Sequence, residues 1–215
     1  MKIGVIGSGI VGQVLATAFL KEGYDVMLGT RNTSKEEVVK WKNENTSGKT
    51  GNLGDTAKFG ELLVLAVAGS VAEEVVKLAG IDHFKNKIVI DTTNPIAYGA
   101  PVNGVLKYFT SLDDSLMERI QKLAPEAKLV KAFNSVGNAF MYKPHFPGGI
   151  PTMFICGNDD GAKKTVTDIL TAFGYETEDM GNVEAARAIE PLCILSCIPG
   201  FIRNQWTHAF KLLKM

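Results

Sequence analysis

Near the N-terminus, Gly7-Ser8-Gly9-Ile10-Val11-Gly12 has the spacing G-x-G-x-x-G. Its chemistry would be the binding of a pyrophosphate by backbone N–H groups. Gly7 would permit a tight turn, Gly9 would let the backbone approach the phosphates, and Gly12 would let the following helix pack closely on the sheet. The motif is weak alone. Here it follows a short apolar run over residues 2–6 and precedes Val11, Val14, Leu15, Ala18 and Phe19, the spacing of one helical face. A strand, a glycine turn and a helix N-terminus then aim free N–H groups and positive dipole at an anion. That context weighs against the competing reading, a glycine-rich turn with no ligand.

An NAD-binding version of this motif places an acidic residue about 20 positions on, at the end of the second strand, to bond the ribose 2′-hydroxyl. That position holds Thr30, followed by Arg31 and, one helical turn later, Lys35. Asp25 stands at the opposite end of the same strand. A hydroxyl and two cations suit a 2′-phosphate, and the planar guanidinium can bond phosphate at two places. The expected ligand is therefore NADP(H). The alternative is that Arg31 and Lys35 are solvated surface charges.

The elements that must position these residues alternate strand and helix, which predicts an α/β fold of Rossmann type: a doubly wound, mainly parallel sheet covered on both faces. Strands are expected at 2–6, 24–28, 62–67, 87–91, 128–133, 152–156 and 176–179, with a short third strand near 50–53. Helices are expected at 10–22, 71–78, 112–123 and 160–173. Another should run to about Asn43, opened by a Thr33-Ser34-Lys35-Glu36 capping box. Residues 142–151 contain three prolines and two glycines. A boundary is placed in this loop: 1–150 as an NADP-binding domain, and 151–215 as a smaller α/β portion with a largely helical end that completes the acceptor site.

Lys and Arg number 23 against 23 Asp and Glu, with no basic stripe, so nucleic acid is not expected as a partner. The chain lacks about 20 consecutive apolar residues, and its first residues run directly into the glycine turn; both favour a cytoplasmic protein free of membrane. Cys156, Cys193 and Cys197 match no disulfide framework or zinc site. Cys193 and Cys197 are four apart among apolar neighbours and read as packed helix cysteines rather than a redox pair. His83, His145 and His208 are scattered, no metal site is expected, and no G-x-S-x-G nucleophile is present.

Further motifs extend the pattern: Gly29-Thr30-Arg31, Val67-Ala68, Asn94-Pro95, Ala132-Phe133-Asn134-Ser135 and Cys156-Gly157-Asn158-Asp159-Asp160. With these the chain resembles the NADPH-dependent reductases of the deazaflavin coenzyme F420, and is similar to the NADPH-binding domains of membrane ferric reductases. The resemblance implies that Ser8, Gly9, Ile10 and Val11 meet the pyrophosphate, Thr30, Arg31 and Lys35 the 2′-phosphate, and Val67 and Ala68 the adenosine and pyrophosphate. It implies that Asn94, Pro95, Asn134 and Asn138 surround the nicotinamide, while a turn role is the rival reading for the asparagines. Ala68 stands where the family often has proline.

Arg187 matches an arginine that the family uses near the deazaflavin, but Pro191 and Cys193 replace a serine and a threonine, and Asn134 replaces a histidine. Asn134 and Arg187 are thus the candidates for placing an acceptor, with no general base named, because in hydride transfer the cofactor carries the chemistry. The implied activity is hydride transfer between NADPH and a small-molecule acceptor, coenzyme F420 or a flavin, in a homodimer joined through the apolar C-terminal segment. The competing expectations are reduction of a small imine or carbonyl and a non-catalytic NADP(H) sensor.

Overall fold

The structure, a computed structural model, describes residues 1–215. Six parallel strands form one sheet in the order β3-β2-β1-β4-β5-β6, with β1 Lys2–Ile6, β2 Asp25–Gly29, β3 Lys49–Gly51, β4 Leu62–Leu65, β5 Ile88–Asp91 and β6 Lys128–Lys131. Two further parallel strands, β7 Thr152–Ile155 and β8 Glu176–Asp179, make a second small sheet. An antiparallel bridge between Lys131 and Cys156 joins the two sheets. The strand order reverses between β1 and β4, and in open α/β sheets the crevice at such a reversal is where ligands bind.

The helices are α1 Ile10–Lys21, α2 Glu36–Glu44, α3 Leu53–Phe59, α4 Ala72–Ala79, α5 Leu116–Leu123, α6 Asp160–Ala172, α7 Ala186–Ile189 and α8 Pro191–Arg203. Central strands read as unbroken apolar runs because both faces are covered; all four residues of β4 are buried. One core cluster joins Ile3, Val5 and Phe19 to Ile155, Val166 and Phe173, so apolar packing runs continuously across residue 150. The Phe19 and Phe173 rings meet at a tilt of 56°, their centroids 5.0 Å apart.

Several expectations are corrected. Helix α2 opens at Glu36, not on a Thr33 capping box: Asn32 Oδ1 accepts from Ser34 N in a tight turn, and Lys35 takes the N-cap position. The third strand lies at Lys49–Gly51, and Leu53 already begins α3, whose start is fixed by Asn52 accepting from Asp55 N. Helix α5 starts four residues later than expected, at the N-cap Ser115, whose Oγ accepts from Glu118 N and donates to Glu118 Oε2. Residues 204–215 are not helical.

Between β5 and α5 lies an unexpected hairpin, residues 96–108, closed by the Ile96–Tyr108 and Val102–Val105 pairings. Its turn is Asn103-Gly104, both with positive φ (49° and 82°), the conformation that a two-residue hairpin turn demands.

The helical run Val183–Arg203 is long and apolar enough to cross a membrane by length and composition. Its polar residues tie it to the core: Arg187 pairs with Glu118, and Glu190 is buried among charged partners.

Candidate nucleotide and acceptor site

Two clefts open where the strand order reverses. The first, of about 250 Å³, is lined by Gly7, Ser8, Gly9, Thr30, Arg31, Lys35, Val67 and Ala68 among others. The three motif glycines have separable roles there. Gly7 has φ +119°, and a Cβ on it would lie 2.1 Å from Ala66 O; a Cβ on Gly12 would lie 1.9 Å from Gly7 O. Both are required for the turn itself. A Cβ on Gly9 would meet nothing within 4 Å, so the space above the helix N-terminus is open. Gly9 is the N-cap of α1 and supplies no capping side chain, which leaves the first N–H groups of the helix facing that space. These residues fit a bound pyrophosphate.

At the end of β2, Thr30 is buried, and its hydroxyl accepts from Ser8 Oγ at 3.0 Å and Asn32 N at 3.2 Å. Arg31 is exposed and enters no ion pair, and Lys35 has only a 3.6 Å contact to exposed Glu37. Two cations are therefore available at this wall. Asp25 lies at the other end of β2, paired with Lys49 at 2.8 Å.

The second cleft, of about 570 Å³, shares Gly9, Ala66, Val67 and Ala68 with the first, and adds Ile10, Val11, Thr93, Asn94 and the base of the hairpin. Asn94 is fixed from the segment that follows β6: Asn94 Nδ2 donates to Asn134 O at 2.8 Å, and Asn134 Nδ2 donates to Asn94 Oδ1 at 3.2 Å and to Ile189 O at 2.9 Å. Asn134 Oδ1 is buried without a partner, an acceptor left free beside Asn94. The geometry begins at Phe133, whose φ of 61° ends the extended run of β6. A left-handed non-glycine residue costs on the order of 1–3 kcal/mol. Packing of the Phe133 ring on Phe173 and Tyr175 holds it there.

Beneath Thr93 lies a fully buried ion triad. Lys131 Nζ stands 2.7 Å from Asp91 Oδ2 and 2.9 Å from Glu190 Oε1, and it donates to Thr93 O at 2.9 Å. Burial works to lower the Lys131 pKa, but Asp91 and Glu190 outweigh it and hold the ammonium protonated. Asp91 Oδ1 accepts from Thr93 N and Thr93 Oγ1, while Glu190 accepts from Leu116 N and Met117 N at the start of α5. The triad thus ties β5, β6, α5 and the α7–α8 junction into one support for Asn94 and Asn134. Tyr108 of the hairpin joins it, donating to Glu190 O at 2.8 Å.

Of the residues singled out from sequence, the structure brings Gly7, Ser8, Gly9, Thr30, Arg31, Lys35, Val67 and Ala68 to one cleft, and Gly9, Ile10, Val11, Val67, Ala68 and Asn94 to the other. Gly12 and Pro95 are buried behind them. Asn138 lines a different cleft, which Ile10 also borders. Arg187 is held by Glu118, with Nε to Oε2 at 3.0 Å and Nη2 to Oε1 at 2.6 Å. Cys156 and Cys193 are buried and Cys197 is half-buried. The hairpin, the triad and Tyr108 were not singled out, although Asn103-Gly104 between two valines signals a hairpin.

The model of the family described as NADP oxidoreductase, coenzyme F420-dependent, matches residues 2–95. A crystal structure from Arthrobacter sp. FB24, described as that of an F420-dependent NADP reductase, superposes with a TM-score of 0.92 at 30% identity, covering 100% of each chain. The chain belongs to the F420-dependent NADP oxidoreductase family. Members of this family are NADP-dependent oxidoreductases, and so is this chain.

The family's F420-dependent NADP reductase from Methanocaldococcus jannaschii is 28% identical over 202 residues, 89% of each chain. Metalloreductase STEAP3 of Rattus norvegicus is 27% identical over 197 residues, 89% of this chain but 36% of the metalloreductase, so the chain spans only about a third of that relative. Binding of NADP(H) follows from membership in this family.

Proposed function

We propose that this oxidoreductase transfers a hydride between NADPH and a flavin-like acceptor, a deazaflavin such as coenzyme F420 or a flavin. The observation that carries the proposal is that a cleft with free cations and an uncharged cleft meet over Gly9, Val67 and Ala68 at the strand-order reversal. Thr30, Arg31 and Lys35 would hold the 2′-phosphate, and Ser8 to Val11 the pyrophosphate. Asn94 would border the nicotinamide, with Asn134 supplying its free Oδ1. NADPH supplies the hydride when bound. The chain's part is to orient the ring against the acceptor and exclude water, which needs no general base.

Mixing the protein and NADPH with coenzyme F420, FMN or riboflavin tests this. Loss of the near-ultraviolet absorbance of NADPH with at least one of them is expected. NADPH that binds and is oxidised by none contradicts the proposal and favours a small imine or carbonyl substrate, or a sensor. We further propose a homodimer through α8, whose Leu195, Phe201 and Ile202 are exposed. Sedimentation at increasing concentration should show twice the chain mass, and a monomer throughout would reject it.

A further inference from the structure

Resting on the flavin-like reading above, we propose that Tyr98 is the aromatic platform against which the planar ring of the acceptor stacks. Tyr98 lines the cleft beside Asn94 and is absent from the wall of the nucleotide cleft. It is 88% exposed. The chain has five tyrosines, and the other four are committed to partners within it. Tyr24 packs its ring on Phe19, and the hydroxyls of Tyr108, Tyr142 and Tyr175 donate to Glu190 O, Glu22 Oε1 and Phe140 O. Tyr98 leaves a whole ring open to the cleft.

Its surroundings suit a flat ring. Ile10 and Ile96 line the same cleft with 61% and 37% of their surface exposed, so apolar surface comes both from the glycine turn and from the hairpin arm. No charged side chain lines this cleft, and its polar groups include Thr93 and Asn94 at the end of β5. Apolar and aromatic walls with a few fixed polar groups hold a planar ligand by its faces and orient it by its edge.

The backbone leaves Tyr98 free to turn onto such a ring. The hairpin is pinned on either side of it: Ala97 N donates to Lys107 O at 2.8 Å, and Val102 and Val105 exchange two bonds of 3.0 Å. Its tip rests on α8, since a Cβ on Gly104 would lie 3.1 Å from Ile202 Cγ2. Between these anchors residues 98–101 make no backbone hydrogen bond, and Gly99, with φ +121°, has nothing within 4 Å of its Cβ position. Tyr98 can therefore move while the hairpin stays in place.

The test is steady-state oxidation of NADPH by coenzyme F420, FMN and riboflavin in the wild type, Tyr98→Ala and Tyr98→Phe, with NADPH dissociation constants measured alongside. An exposed side chain with no partner in the chain can be removed without unfolding it. Stacking acts equally on the bound ground state and the transition state, so its loss appears in KM. With the acceptor that the wild type reduces, Tyr98→Ala should raise the acceptor KM about tenfold, with kcat within about twofold and NADPH affinity unchanged. Tyr98→Phe keeps the ring and should stay within about twofold of the wild type. An unchanged acceptor KM in Tyr98→Ala overturns the inference and leaves the flavin-like reading standing. A matching loss of NADPH affinity also overturns it, because the ring would then serve the nucleotide. If the wild type binds NADPH but reduces none of the three acceptors, the flavin-like reading fails and the inference falls with it.

Discussion

The polar and charged groups of the nucleotide cleft, Ser8, Thr30, Arg31 and Lys35, come from one strand-helix-strand unit and the turn that follows it. The acceptor cleft takes its walls from residues near 10, 68, 94 and 98, and rests on Asn134, Ile189 and a triad drawn from β5, β6 and the α7–α8 junction. The first is built from backbone turns and needs few side-chain contacts to hold its shape. The second is held by side chains distant in sequence, each satisfied by the others. A local site of the first kind is robust to change elsewhere and sensitive at a few glycines. A site of the second kind shares its support with the fold.

That contrast can be broken at either end. The largest effect is expected for Gly9→Val. A side chain there meets no protein atom, so the fold should persist while its volume fills the phosphate space. Nucleotide titration should show no measurable binding and thermal unfolding should be unchanged; wild-type affinity in the folded variant would remove this loop from the site. Lys131→Met comes next and should act in the reverse sense. It leaves Asp91 and Glu190 buried without their cation, at a cost of about 3–5 kcal/mol. Denaturant unfolding should show that loss, while the folded fraction keeps its preference for NADPH over NADH. A loss under about 1 kcal/mol would mean that the triad does not hold the region together.

The smallest of the three effects is expected for Asn134→Ala, which leaves Ile189 O without its donor and Asn94 Oδ1 with only the long 3.4 Å contact to the Tyr108 hydroxyl, at a cost of about 1–3 kcal/mol. Acceptor turnover should fall with NADPH affinity nearly unchanged. A matching loss of NADPH affinity would show that the two clefts are not separable.

The same contrast explains what was legible in the sequence. The G-x-G-x-x-G turn and the Thr30-Arg31 pair are short-range patterns, and the sheet that carries them follows from apolar runs of the right length. Asn138 and Arg187 are placed by resemblance alone; in the structure Asn138 borders a different cleft and Arg187 is paired with Glu118. Arg187 meets a Glu118 that is 69 residues away, and that pairing leaves no trace in local spacing. The triad is similarly hidden, since Lys131 and Asp91 each sit in strands that look ordinary, and Glu190 precedes a proline in an apolar helix. Helix α3 escaped notice because its seven residues include a glycine and only a short apolar face. The hairpin, by contrast, is legible locally, since Val102-Asn103-Gly104-Val105 carries its own turn signal.

The central claim is that the end of β2 is built for a 2′-phosphate. Dissociation constants for NADPH and NADH, measured at one ionic strength in the wild type and in Arg31→Ala, test it most directly. The wild type should prefer NADPH, and the variant should lose roughly tenfold or somewhat more of that preference, because a charge-assisted bond contributes on the order of 1.5–3 kcal/mol and Lys35 remains. Equal wild-type affinity for the two nucleotides, or an equal loss of both in Arg31→Ala, would contradict the account and leave Arg31 a surface charge.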